Sequence, residues 1–201
     1  MSSGFRTSLP RILPFTVFAG LLLSGCGVNN IPTFDENAKA KWSNVQNQYQ
    51  RRADLIPNLV ETVKGYAAQE REVLTQVTEA RAKVSQIKVD ASTITDPAKF
   101  KEFQDAQNAL TGALSRLLVI VERYPDLKSN QNFLALQSQL EGTENQIAVA
   151  RRDYIEAVRA YNTELKTFPG RLWASTLYRS YKPMETFTVA EELQKPPTVK
   201  F

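Results

Sequence analysis

The chain is predicted to be all-α, a bundle of long helices. Three observations carry this. Apolar and aromatic residues recur every seven positions, no stretch sustains a period of two, and beyond Phe34 glycine and proline become rare while Ala, Gln, Glu, Lys and Arg dominate. A seven-residue repeat lines two rows of apolar side chains along one seam of a helix, and such helices bury their seams against one another at shallow angles.

The first rows run Trp42, Tyr49, Ile56, Val63, Glu70, Val77, Val84 and Val45, Arg52, Leu59, Tyr66, Val73, Ala80, Ile87. Only Arg52 and Glu70 interrupt them. Pro57 lies within this stretch and lacks the N–H that a helix interior uses, so the helix is kinked or broken there. Asp54 could cap a restarted helix with Pro57 in its first turn. The unbroken phase from Trp42 to Ile87 instead favours one long, continuous, kinked helix.

Residues 90–97 read as a loop, with Asp96-Pro97 as the cap and first-position proline of the next helix. That helix carries Phe100, Gln107, Leu114, Val121 and Phe103, Leu110, Leu117, Tyr124, and stops at Pro125. The strongest row follows in Phe133, Leu140, Ile147, Tyr154, Tyr161 and Phe168, every seventh residue apolar or aromatic, closed by Pro169-Gly170. A short amphipathic piece spans roughly 172–181. Residues 182–201 form an irregular tail with aromatics at Phe187 and Phe201, expected to lie along the bundle or stay mobile.

Ahead of the helices, Arg6 and Arg11 precede an apolar run from Ile12 to Leu23 and then Ser24-Gly25-Cys26, the build of a secretory leader. The run is about a dozen residues and contains Pro14, whereas a spanning helix needs roughly twenty. Leu23-Ser24-Gly25-Cys26 also resembles the bacterial lipoprotein signal. That resemblance implies cleavage before Cys26, with an S-diacylglycerol group and an N-acyl chain on the cysteine. The expected organisation is a signal peptide over 1–25, a tether over 26–33, the helical bundle over 34–181 and the tail over 182–201.

Composition narrows the chemistry. Removing Arg6 and Arg11 from the 25 basic residues leaves 23 against 21 acidic ones, too even for a clustered nucleic-acid face. With no histidine and one cysteine, disulfides, the usual zinc sites and His-dependent di-iron sites are not expected, and no cofactor is expected. Glu70 in a seam is costly unless paired, so a Lys or Arg from a facing helix is the expected partner, and Arg52 is read the same way. Catalysis by Glu70 or Glu61, as an envelope hydrolase or its activator, is the competing reading.

Three stretches resemble the LemA family of bacterial envelope proteins. They are Arg52-Ala53-Asp54-Leu55-Ile56-Pro57-Asn58-Leu59-Val60-Glu61-Thr62-Val63-Lys64-Gly65-Tyr66 with Glu70, Tyr124-Pro125-Asp126-Leu127-Lys128 through Gln137, and Leu140 through Tyr154 to Tyr161-Asn162 and Phe168-Pro169. The resemblance implies an all-α, up-and-down antiparallel bundle of four helices behind an N-terminal membrane anchor, and no reaction. Members commonly begin with a spanning helix, so the Cys26 signal marks a departure. Gly27 in place of aspartate omits the usual inner-membrane retention signal, which points to the periplasmic face of an outer membrane. The expected function is non-enzymatic: a lipid-anchored module that binds or scaffolds envelope proteins. An envelope-stress signalling role is a further alternative.

Overall fold

The computed structural model describes residues 27–187, and among them the only regular elements are six helices. These are α1 (Asn30–Tyr66), α2 (Arg71–Gln86), α3 (Pro97–Val121), α4 (Pro125–Lys128), α5 (Gln131–Lys166) and α6 (Gly170–Thr176). The all-α expectation holds. Leu23, Ser24, Gly25 and Cys26 lie outside the described residues, as does the tail beyond Phe187.

Helix α1 starts at Asn30 and buries Ile31, so residues 30–33 of the expected tether are helix. It continues through Pro57 without a break. The ring removes the N–H that would have bonded the carbonyl of Ala53, four residues earlier. Arg81 of α2 supplies a substitute: its Nε donates to Ala53 O at 2.9 Å. The same contact shows that α2 has folded back along α1.

The helix predicted to run on to Ile87 in fact ends at Tyr66. Residues 67–70 turn the chain, with the Ala67 and Glu70 amides donating to Val63 O and Ala67 O. Gly65 weakens the last turn of α1. Burial departs from the predicted rows at two places: Leu74, in neither row, is buried along with Val77, while Tyr66 is exposed. A turn made of Ala, Gln and Glu carries no proline or Asn-Gly signal, and a chance match in the heptad count concealed it.

Asp96 caps α3 as expected, its carboxylate accepting from the amides of Ala98 and Lys99. Asn130 caps α5 by accepting from Phe133 N, and its amide group donates to Tyr66 Oη. Contacts fix the directions. Asn30 meets Glu164, Arg52 meets Glu144 and Tyr66 meets Asn130, so α1 and α5 run antiparallel. Arg123 meets Glu70 and Arg116 meets Gln76, so α2 and α3 do too.

At the end where α1 begins, α5 passes through Phe168 and Pro169, joined by a cis peptide, into the short α6. Gly170 is required there, because a Cβ would sit 2.2 Å from the Glu164 carbonyl oxygen. The first part of the tail is pinned down. Tyr154 Oη and Tyr161 Oη donate to the carbonyls of Glu185 and Lys182, Asn162 exchanges two bonds with the Met184 backbone, and Glu185 N donates to Ile94 O. Phe187 is thereby seated in the core.

Candidate functional site

Side chains that sequence reasoning singled out form two polar clusters. The first surrounds Arg52, buried to 1 % exposure on α1. Its Nη1 donates to Thr111 Oγ1 at 2.9 Å and Glu144 Oε1 at 2.8 Å, and its Nη2 donates to Gln107 Oε1 at 2.6 Å and Gln107 O at 3.3 Å. The guanidinium also lies over the Tyr49 ring. One arginine thus ties α1 to both α3 and α5, and the expected charged partner is Glu144. Its Nε has no partner, a cost offset by the bonds at the fork.

This cluster separates two cores. Toward the start of α1 lie Trp42, Tyr49, Phe100, Phe103, Tyr154, Tyr161 and Phe187, with ring centroids 5.1–6.2 Å apart among the contacting pairs of this group. Beyond it lie Ile56, Leu59, Val63, Leu110, Leu114, Leu117 and Leu140.

The second cluster sits where α1 turns into α2. Glu70 Oε1 accepts from Tyr124 Oη at 2.8 Å and Arg123 Nη2 at 3.0 Å, and Gln69 Nε2 donates to Tyr124 Oη. The bond to the carboxylate holds the Tyr124 phenol above its ordinary pKa, because ionising it would set two negative charges together. Glu70 is therefore paired with an arginine as predicted, but Arg123 lies in the turn after α3 and not on a facing helix, and Glu70 itself stands at the start of α2 and not in a seam. Glu61 is exposed and pairs with Lys64 one turn on.

Between α3 and α5 the surface opens into a groove of about 440 Å³, lined by Leu114, Leu118 and Leu140 with Thr111, Ser115, Gln137, Glu141, Glu144 and Asn145 at its polar edge. Arg52 reaches this edge from below through Thr111 and Glu144. Sequence reasoning did not find the groove. Its one signal was Gln107, a polar residue in an apolar row that marks the same level as Arg52. Asp35, buried and paired with Lys39 at 2.6 Å beside a second cavity of about 460 Å³, was also missed. Among the described residues, no group of His, Cys, Asp or Glu is arranged to hold a metal ion, and no helix is long and apolar enough to cross a membrane.

The sequence model of the LemA family matches residues 41–201, the whole of the region that builds both clusters and the groove. The chain belongs to the LemA family. Among its relatives, Magnetosome protein MamQ 2 of Paramagnetospirillum magneticum is 27 % identical over 157 residues, 70 % of this chain and 58 % of that protein. Magnetosome protein MamQ of Magnetospirillum gryphiswaldense is 26 % identical with the same coverage. Protein LemA of Metamycoplasma hominis is 29 % identical over 124 residues, 62 % of this chain and 52 % of that protein. This LemA-family chain spans little more than half the length of the relatives it matches.

Proposed function

We propose that this LemA-family protein is a non-enzymatic binding or scaffolding module of the bacterial envelope, built as an up-and-down four-helix bundle. It is held at a membrane by lipid on Cys26 and faces the periplasm, on an outer membrane where the organism has one. The observation that supports binding is the α3–α5 groove: an apolar floor with a hydrogen-bonding edge, held open by a buried arginine that touches both walls. Such a surface suits an amphipathic segment of a partner protein.

Catalysis by Glu70 or Glu61 is the weaker reading, because Glu70 is engaged by Arg123 and Tyr124, and Glu61 stands on an exposed helix face. Glu70→Gln should keep fold and cellular phenotype, and a phenotype lost with the fold intact would favour the hydrolase. For binding, a photoreactive side chain at Ser115 in living cells should capture a discrete envelope protein. Ser115→Arg should abolish that partner's co-purification. Capture of lipid alone from Ser115 would refute the binding role. Mass spectrometry of the N-terminus should find Cys26 acylated; an intact leader or a bare Cys26 would refute the anchor.

A further inference from the structure

The end of the molecule where α1 begins carries a surface that neither the groove nor the two clusters uses. Phe168 is 85 % exposed, and Leu172 and Leu177 are about half and two-thirds exposed, all within the elbow that joins α5 to α6. Three large apolar side chains so close together in water are unusual for a face that stays solvated. The aromatic residues Trp173, Tyr178 and Tyr181 flank them, partly buried against the core.

Charge at the elbow is one-sided. From Leu165 to Met184 the chain has four basic residues, Lys166, Arg171, Arg179 and Lys182, and no acidic one. All four are exposed. Glu164 and Glu185 bound this stretch, the first bonded to Asn30 and the second half-buried, and on α1 Asp35 and Glu36 pair with Lys39. Apolar and aromatic side chains interleaved with exposed cations have the composition of a surface that rests on an anionic bilayer.

The position of the chain's entry identifies the occupant. Gly27, in the left-handed region at φ +96°, sits so close to the elbow that a Cβ built on it would lie 3.4 Å from Pro169 Cγ. The residue before Gly27 is Cys26, and the apolar run Ile12–Leu23 lies just upstream in the sequence. Whether that segment is cleaved to leave a lipidated cysteine or retained whole, the chain joins its membrane-directed part beside Phe168. The opposite end is distant, since the 37 residues of α1 span ~55 Å.

We infer that the α5–α6 elbow is a membrane-contact surface, with Phe168, Leu172 and Leu177 entering the interfacial layer of the leaflet that carries the anchor and Lys166, Arg171, Arg179 and Lys182 meeting acidic lipid headgroups. The elbow thereby orients the helical body on the membrane and sets the groove away from it. This rests on the proposed membrane attachment, but not on lipidation being its form.

The test uses the full chain in its native membrane, with Leu172→p-benzoylphenylalanine in one strain and Val119→p-benzoylphenylalanine, an exposed position near the far end of α3, in another. Irradiation should yield lipid adducts at position 172 several-fold above those at 119. Lys166→Gln, Arg171→Gln and Arg179→Gln, combined in the first strain, should reduce them. A protein adduct at 172, self or foreign, or equal lipid labelling at both positions, would overturn the inference. The N-terminal peptide from the same sample reports the anchor separately. Lipid adducts with a bare Cys26 would sink lipidation and leave the elbow standing, whereas an acylated Cys26 without adducts would do the reverse.

Discussion

The two halves of the helical body are packed from different materials. Near Gly27 the core is rich in rings, and the tail adds Phe187 to them, with Arg151 stacked on that ring at 4.3 Å. Past Arg52 it is mostly leucine, isoleucine and valine, with Phe133 as its one buried ring. Rings are large and rigid, so their layer depends on fixed geometry and on the hydroxyls of Tyr154 and Tyr161, which reach out to the tail backbone. Aliphatic chains repack with little loss. The comparison teaches that the half beside the entry point is built to be rigid and the half beneath the groove to adapt.

The largest effect should come from the ring layer. Trp42→Ala removes a side chain that meets Phe100, Phe103, Tyr154 and Phe187, and should cost about 4 kcal/mol in denaturant unfolding. Leu117→Ala in the other half should cost about 3 kcal/mol. Hydrogen exchange should show the loss from Trp42→Ala confined to the ring half and the tail. Uniform loosening would erase the distinction between the halves.

The boundary comes next. Arg52→Met leaves Gln107 Oε1 buried without its donor and should cost about 2 to 3 kcal/mol, much of it recovered by adding Gln107→Leu. If Arg52→Met is neutral, the polar layer is not what separates the cores. Smaller again, Arg81→Leu should cost about 1 to 2 kcal/mol by stranding Ala53 O, and markedly less in a Pro57→Ala background, where a restored amide takes that carbonyl. A double-mutant cycle by thermal unfolding measures the coupling.

The smallest effect is a pH dependence of the ring half. Burial pushes the phenols of Tyr154 and Tyr161 well above their ordinary pKa of 10.0. The unfolded chain loses these protons first, so the stabilisation is complete below about pH 10 and is lost as pH rises above it. Melting temperature should fall between about pH 9 and about pH 11, and Tyr154→Phe with Tyr161→Phe should flatten that slope. An unchanged slope would mean that the phenols are ionised equally in both states.

Much of this was legible in the heptads. The rows of α3 and α5 named the large core residues such as Phe100, Phe103, Leu117, Phe133, Tyr154 and Tyr161 but missed Ile120, Val158 and Leu165 and included the exposed Phe168, and Asp96-Pro97 marked a real cap, because backbone chemistry at helix ends is local. Arg52 and Glu70 stood out as polar residues among apolar ones, and both proved to be paired. Their partners were not legible: Glu144 on α5 and Arg123 in the turn after α3 lie 92 and 53 residues away, and what faces what is set by packing, which periodicity does not encode. The turn at 67–70 was hidden because a reversed helix can show the same spacing as a continued one. The groove was invisible because it arises from where α3 and α5 fail to close, a property of the assembled helices.

Pro57 has one more consequence. A helix that repeats every seven residues offers its neighbour many equivalent alignments, and α2 could slide along α1 by a full repeat with its apolar stripe still covered. The carbonyl that Pro57 leaves open breaks this degeneracy, because it occurs once and Arg81 fits it from a single position. A residue that weakens its own helix thus supplies the registration mark that tells the next helix where to stop.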